Sequence, residues 1–401
     1  MAQSTVYGVV DVGYGIKSYS NVDGATSAKQ TGIMDGGSAG NRLGWRSNED
    51  LGSGMSAGAV VELGFAPTNA SLTFGRTGTA GVQYNGLSST EGFWNMQSIG
   101  AYSGTNNRQT YVRLGGNFGE IRAGFMYTAV YEVGTLSGFT NTSEGVIGGH
   151  IAHLFGNNAV GGTRANGIAY YTPTWNGFRG VYTMGSGGGR EQTEFLAANG
   201  ADSRTLDKQQ RTSLQLDYTS GPLRVGFATT NFNDAASAVT AGNTLGVFGA
   251  LTSVTRAAAT AVSTSNTMNQ LGGSYDLGSI KLGATIVRGS RNVAQADAAG
   301  TAPAGTALGD YSWTANALSF AMPMGAWLLN GGMGTASFSN SANTLMDYQT
   351  RQFGLDYNFS KRTRAYGYIG SAVNNAATNT AAIGVTTKDQ SQTMVGIRHD
   401  F

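Results

Sequence analysis

Four segments of this chain repeat one hairpin: alternating apolar and polar residues, an aromatic, a tight turn, then an apolar residue, a base, an apolar residue and often glycine. They read SYDLGSIKLG at 274–283, DYTSGPLRVG at 217–226 and, more loosely spaced, GNFGEIRAG at 116–124 and DYNFSKRTRAYG at 356–367. Repeated hairpins without a helical period imply one large antiparallel sheet. In each copy the base (Lys281, Arg224, Arg122 or Arg364) alternates with apolar neighbours. Successive side chains of a strand point to opposite faces, so one face is oily and the other wet.

Composition narrows the class. Only 12% of the 401 residues are charged and the net charge is +2, whereas an ordinary soluble chain carries about 25%. No shift of composition divides the chain, so residues 1–401 read as one barrel domain. A mean hydropathy of −0.17 is too polar for helical membrane spans. The longest uncharged stretch, 312–345, contains Pro323 and several glycines and reads as two strands around a turn. The chain lacks cysteine, which fits an exported protein that does without disulfides. Ala2-Gln3 looks like the pair that follows a cleavage site, with Met1 added, so the signal peptide is expected to be missing.

Seven short turns are legible, at 49–54, 115–119, 173–177, 219–222, 276–279, 322–325 and 358–362. Each joins two strands, and 5–19 before the first pair and 391–401 after the last bring the total to sixteen. The links between pairs are long, as at 67–106, 126–162 and 231–266. Short turns at one end and long loops at the other are the asymmetry of a transmembrane β-barrel. Closure removes the unpaired edges that hydrocarbon would penalise by several kcal/mol per group. In the first strand Val6, Val10, Val12, Tyr14 and Ile16 share one face and Asp11, Gly13, Gly15 and Lys17 the other. In the last, Val395, Ile397, His399 and Phe401 alternate with Met394, Gly396, Arg398 and Asp400.

Several strings occur in a family-like order: NRLGWRSNEDLGSG at 41–54, NRQTYVRLGGNFGEIRAG at 107–124, RANGIAYYTP at 164–173, LDYTSGP at 216–222, YNFSKRT at 357–363 and the terminal MVGIRHDF at 394–401. In these the chain resembles the Gram-negative general porins, particularly those of beta-proteobacteria. The resemblance implies a sixteen-stranded outer-membrane diffusion channel, a homotrimer set in lipid and lipopolysaccharide, whose third long loop (126–162) folds inward as the constriction. It also implies that Phe401 is the C-terminal aromatic read by the barrel-insertion machinery.

Site residues follow from alternation and from that resemblance. Arg42 and Arg46 lie opposite Leu43 and Trp45 and are expected in the lumen. Arg108 and Arg113 are five apart and cannot share a face of a regular strand; if Tyr111 meets lipid, Arg108 is the inward one. The resemblance makes Arg42, Arg108 and Arg164 part of a basic wall facing loop acids, of which Glu132 and Glu144 remain. Where many relatives place an arginine, this chain has Phe125, beside Met126 and Tyr127. With Tyr131, Phe139 and Phe155 also near the loop, a channel for small aromatic carboxylates is the alternative to one for ions and small hydrophilic solutes with a modest anion preference.

Catalytic signals are weak. Residues 36–40 (GGSAG) match a nucleophile-elbow pattern without the strand-turn-helix it needs. His150 and His153 share helical spacing but lack enough ligands for a metal, so no cofactor is expected, and calcium among loop acids is left open. Residues 185–190 (GSGGGR) lack the lysine of a phosphate loop, and dispersed bases give no support for nucleic-acid binding. A barrel-fold hydrolase of the outer membrane is the less favoured alternative.

Overall fold

The computed structural model describes residues 3–22, 26–35, 37–65, 67, 106–137, 164–186, 207–236, 244–246, 253–255, 261–296, 311–340, 344–375 and 389–401. Seventeen strands form one antiparallel sheet. In chain order they begin with β1 (Gln3–Val22), β2 (Thr26–Asp35), β3 (Arg42–Gly52), β4 (Met55–Gly64), β5 (Asn106–Gly116) and β6 (Gly119–Tyr127). A short helix, α1 (Ala129–Thr135), precedes β7 (Arg164–Tyr171), β8 (Phe178–Ser186), β9 (Asp207–Ser220) and β10 (Leu223–Ala236). Strands β11 (Thr244–Gly246) and β12 (Ser253–Thr255) pair only with each other. The circuit resumes with β13 (Ala261–Asp276), β14 (Lys281–Ala296), β15 (Tyr311–Met324), β16 (Trp327–Asn340), β17 (Thr344–Asn358), β18 (Thr363–Asn374) and β19 (Asp389–Asp400).

The sheet closes because β19 pairs with β1, from Val9↔Asp400 to Ser20↔Asp389. Strands β2 and β3 both lie along β1, β3 against Gln3–Val9 and β2 against Val12–Val22. They are two halves of one stave, so the seventeen strands make the expected closed barrel of sixteen. All seven expected turns join successive strands, and the described residues of 312–345 (312–340 and 344–345) form most of the β15–β16 hairpin and the start of β17. The turns are tight where glycine supplies left-handed backbone, as at Gly278 (φ 82°) between β13 and β14.

Burial alternates along the staves. Val6, Val395 and Ile397 are 62, 59 and 58% exposed, whereas Asp11 and Met394 are 0 and 1%. The apolar face is therefore the outer one, and the polar face lines the lumen. The terminal strand is pinned by Phe401, whose N–H and carbonyl exchange hydrogen bonds of 3.1 and 3.0 Å with Gly8. Its ring lies over the face that Gly8 leaves bare.

The break between β2 and β3 is built around Asp11. Its carboxylate accepts backbone N–H groups from Gly37 (3.2 Å), Ser38 (2.7 Å) and Ala39 (2.7 Å), as well as the Tyr366 hydroxyl. Tyr368 donates to the Gly37 carbonyl oxygen. Residues 37–40 of the elbow-like string are thus a bend held against the inner wall, with no helix after it.

Candidate functional site

One inner wall, from β1 to β9, carries most of the lumen chemistry, and the start of the third loop, α1, lies against β9, β10 and β13. Thr128 starts α1 by accepting the Tyr131 N–H (3.4 Å) on its hydroxyl, which turns the chain after β6 inward. The apolar side of the helix (Ala129, Val130, Val133) is buried. It seats where glycines leave room: a Cβ on Gly226 would sit 2.6 Å from Leu136, and one on Gly272 2.5 Å from the Val133 carbonyl oxygen. The Ser319 hydroxyl donates to the Ser137 carbonyl oxygen (2.8 Å). Gln270, in the amide orientation that satisfies both ends, donates to Val130 O (3.0 Å) and accepts from Gly134 N (3.2 Å).

Three polar nodes line this wall. In the first, Glu62 accepts from Arg108 Nε at 2.8 Å and from the Tyr7 hydroxyl at 3.1 Å. Arg108 Nη2 also donates to the Tyr127 hydroxyl (3.1 Å), and the Tyr127 ring stacks on Tyr131 with centroids 4.2 Å apart. In the second, Glu120 lies between Arg113 Nη1 (2.7 Å) and Arg122 Nε (2.5 Å). In the third, Glu132 of α1 accepts from the Tyr171 hydroxyl (3.1 Å) and stands 3.7 Å from Arg179 Nη2, which is also paired with Asp217. Rings and guanidiniums interleave between the nodes: Arg122 Cζ is 5.3 Å from the Tyr111 ring centre and 4.0 Å from that of Tyr171, with Arg179 Cζ 5.6 Å from Tyr171.

The register corrects the expected placement of β5. Tyr111 does not meet lipid: it packs inside, near Met126 and Arg122, while Val112 and Leu114 face out. The pairing slips between Glu62↔Gln109 and Leu63↔Asn107, leaving Arg108 as the extra residue of a bulge. The bulge resets the alternation, so Arg108 reaches inward to Glu62 and Arg113 reaches inward to Glu120. Phe125 is a second correction. It shares the outer face with Ile121 and is flanked across β5 and β7 by Thr110 and Asn166, so it is not a lumen residue.

Arg42 and Arg46 lie on the inner face of β3, with Leu43 and Trp45 outside. Arg46 is exposed to the lumen and its Cζ is 5.6 Å from the Tyr7 ring centre. Arg108 is only 2% exposed and its guanidinium is committed to Glu62. Arg164 opens β7 opposite Tyr127, with its side chain outside the described residues. Glu144, Phe139, Phe155, His150 and His153 also fall outside them. Glu62, Glu120, Arg122, Tyr171, Arg179 and Asp217 were not picked from the sequence. Their signal is the wet parity of their strands: Arg179 alternates with Phe178, and Arg122 is the base of a repeated hairpin. Among the described residues no three His, Asp or Glu side chains gather to hold a metal.

Glu132 carries a pH prediction. Burial pushes its carboxyl above the usual glutamate range, opposed by the positive charges of Arg179 and Arg122, and by the Tyr171 hydrogen bond; Asp217 pushes the same way as burial. A raised carboxyl loses its charge on acidification before ordinary glutamates do, near pH 4.3. Acidification should therefore remove negative charge from the lumen and raise preference for anions, with a midpoint above that pH. A Glu132→Gln variant should lack this step when reversal potential is recorded against pH.

The comparisons agree with this architecture. A profile of the Gram-negative porin family matches residues 1–377. Outer membrane porin protein 32 of Delftia acidovorans is 33% identical over 184 residues, 44% of this chain and 43% of the relative, so that alignment spans under half of either. An outer membrane porin of Bordetella pertussis is 26% identical over 430 aligned positions, covering 99% of this chain and 94% of the relative. Among solved structures, an anion-selective porin from Comamonas acidovorans superposes with a TM-score of 0.65 at 22% identity over the whole of both chains, a likeness of fold. With a closed sixteen-stave barrel, an apolar outer face and a family match over 1–377, this chain belongs to the Gram-negative porins and is a protein of the outer membrane.

Proposed function

We propose that the protein is a passive channel for ions and small hydrophilic solutes, modestly preferring anions, and that it catalyses no reaction. The observation that supports this most is Arg46 on the lumen face of β3, exposed and without an ion pair to a described residue, beside Arg42 on the same face. At about 0.15 M salt fields fade within roughly 8 Å, so charges at the narrow bore decide selectivity and the net charge of +2 does not. Arg108 contributes little to that field because Glu62 neutralises it. Glu132, Arg164, Glu144 and Tyr127 complete the proposed constriction, with residues 126–162 narrowing the bore. The anion selectivity in the name of the Comamonas porin points the same way. Replacing Arg42 and Arg46 together by serine should shift the reversal potential toward cations; an unchanged potential would place both outside the constriction.

Assembly as a homotrimer through the outer faces of β1 and β19 belongs to the same reading, and a solved Vibrio cholerae outer-membrane protein of this fold is described in a trimer form. We place Phe401 as the residue recognised during insertion. Passage of aromatic carboxylates is the second reading, favoured by the Tyr111–Arg122–Tyr171 stack. Equal blockade by benzoate and acetate would leave those rings a packing role alone.

A further inference from the structure

We propose that a recess in the lumen wall, framed by β1 and β3–β6 near the short-turn end, is a binding subsite for a small divalent oxyanion. This rests on the reading of the protein as an open, anion-preferring channel. The recess has a volume of about 410 Å³, and its lining includes Arg46, Arg113, Arg122, Glu120, Asn48 and Tyr111. Three guanidiniums against one carboxylate leave a local charge of +2. That excess matches a dianion, and a liquid water occupies only about 30 Å³, so a partly hydrated one fits.

The donors are held in place before any ligand arrives. Arg113 is braced by Glu120 and by Asn48 Oδ1 (2.7 Å from Nη2). Arg122 is braced by Glu120 and by the Tyr171 hydroxyl (3.2 Å from Nη1). Each guanidinium has five N–H groups, and these bonds use only some of them. Arg46 stands over Tyr7 with its N–H groups uncommitted to any carboxylate of the described residues. The carboxylate of Glu120 already occupies the place an oxyanion would take between Arg113 and Arg122, and so acts as an internal competitor. Guanidiniums suit two-point recognition of planar or tetrahedral oxyanions, which chloride cannot offer.

The test is single-channel recording in potassium chloride with sulfate, or in a second arm succinate, added to one side at a time. Either dianion should lower the chloride current with saturating dependence, more strongly from the short-turn mouth, and the two arms separate an inorganic from an organic dianion. Arg46→Gln should raise the half-blocking concentration about fivefold or more. Glu120→Gln should lower it by a similar factor, because it frees both neighbouring guanidiniums. Should Glu120→Gln fail to yield channels, Arg46→Lys beside Arg46→Gln decides: lysine keeps the charge and should retain part of the block. Half-blocking concentrations equal within twofold across the variants, or no saturation in the wild type, overturn the subsite. The chloride preference read in the same recordings is separate: its absence would undo the channel reading, while its presence with unaltered block would undo the subsite alone.

Discussion

Glu62→Gln should destabilise the folded barrel by about 3–5 kcal/mol, the usual consequence of removing one charge of a buried ion pair. Arg108 and Glu62 are 2 and 6% exposed at the side chain, and the pair sits beneath the start of loop three. Without the carboxylate, a guanidinium stays charged in a site closed to water, since Arg cannot shed its proton. The hydrogen bond from Tyr7 to Glu62 is weakened too. The effect should reach the loop, because Arg108 also holds Tyr127 and Tyr127 stacks on Tyr131. Removing both charges, as in Glu62→Gln with Arg108→Met, should recover most of the loss. Denaturant unfolding of the detergent-folded protein reads this, and a loss under about 1 kcal/mol for the single variant would mean that water reaches the pair.

Gly283→Val should evict the inner end of α1 from the wall. A Cβ at this position collides with the Ser137 carbonyl oxygen, which is backbone and cannot swing away as a side-chain tip can. The same carbonyl is held by Ser319. Either the loop start rises off β14 or the stave bends, and the barrel, hydrogen-bonded along both edges of β14, is the stiffer of the two. Single-channel conductance should then rise by about twofold or more with larger open-state noise, as expected when a narrowing element leaves its seat. Conductance equal to that of the wild type would show that this stretch does not narrow the bore.

The barrel was legible because its signals are local and repeated. Each hairpin states its own turn, and the two-residue period assigns faces, so Val6 and Asp11 fall on opposite sides without knowledge of the rest of the chain. The site was less legible because its geometry arises from departures from that period. Nothing in NRQTYVRL marks the bulge at Arg108, which depends on how β4 pairs with β5. The β2–β3 break is equally hidden: Asp11 reads as one more wet-face residue, and its role emerges only when Gly37, Ser38 and Ala39 bring their N–H groups to it. Phe125 was expected at the constriction because many relatives carry an arginine there, whereas its parity with Ile121 turns it outward. Arg179 meets both Glu132 and Asp217 across long sequence separations, which no spacing rule spans.

The most direct measurement is the reversal potential of wild-type channels in a planar bilayer under a tenfold potassium chloride gradient at neutral pH. The exposed Arg46 on the inner face of β3, with Arg108 neutralised by Glu62 and Arg113 and Arg122 sharing Glu120, predicts a potential of the sign for chloride exceeding potassium, well short of the ideal anion value of about 59 mV per tenfold gradient of a monovalent ion. A potential of the opposite sign, or the absence of stepwise conductance from folded protein, would contradict the account.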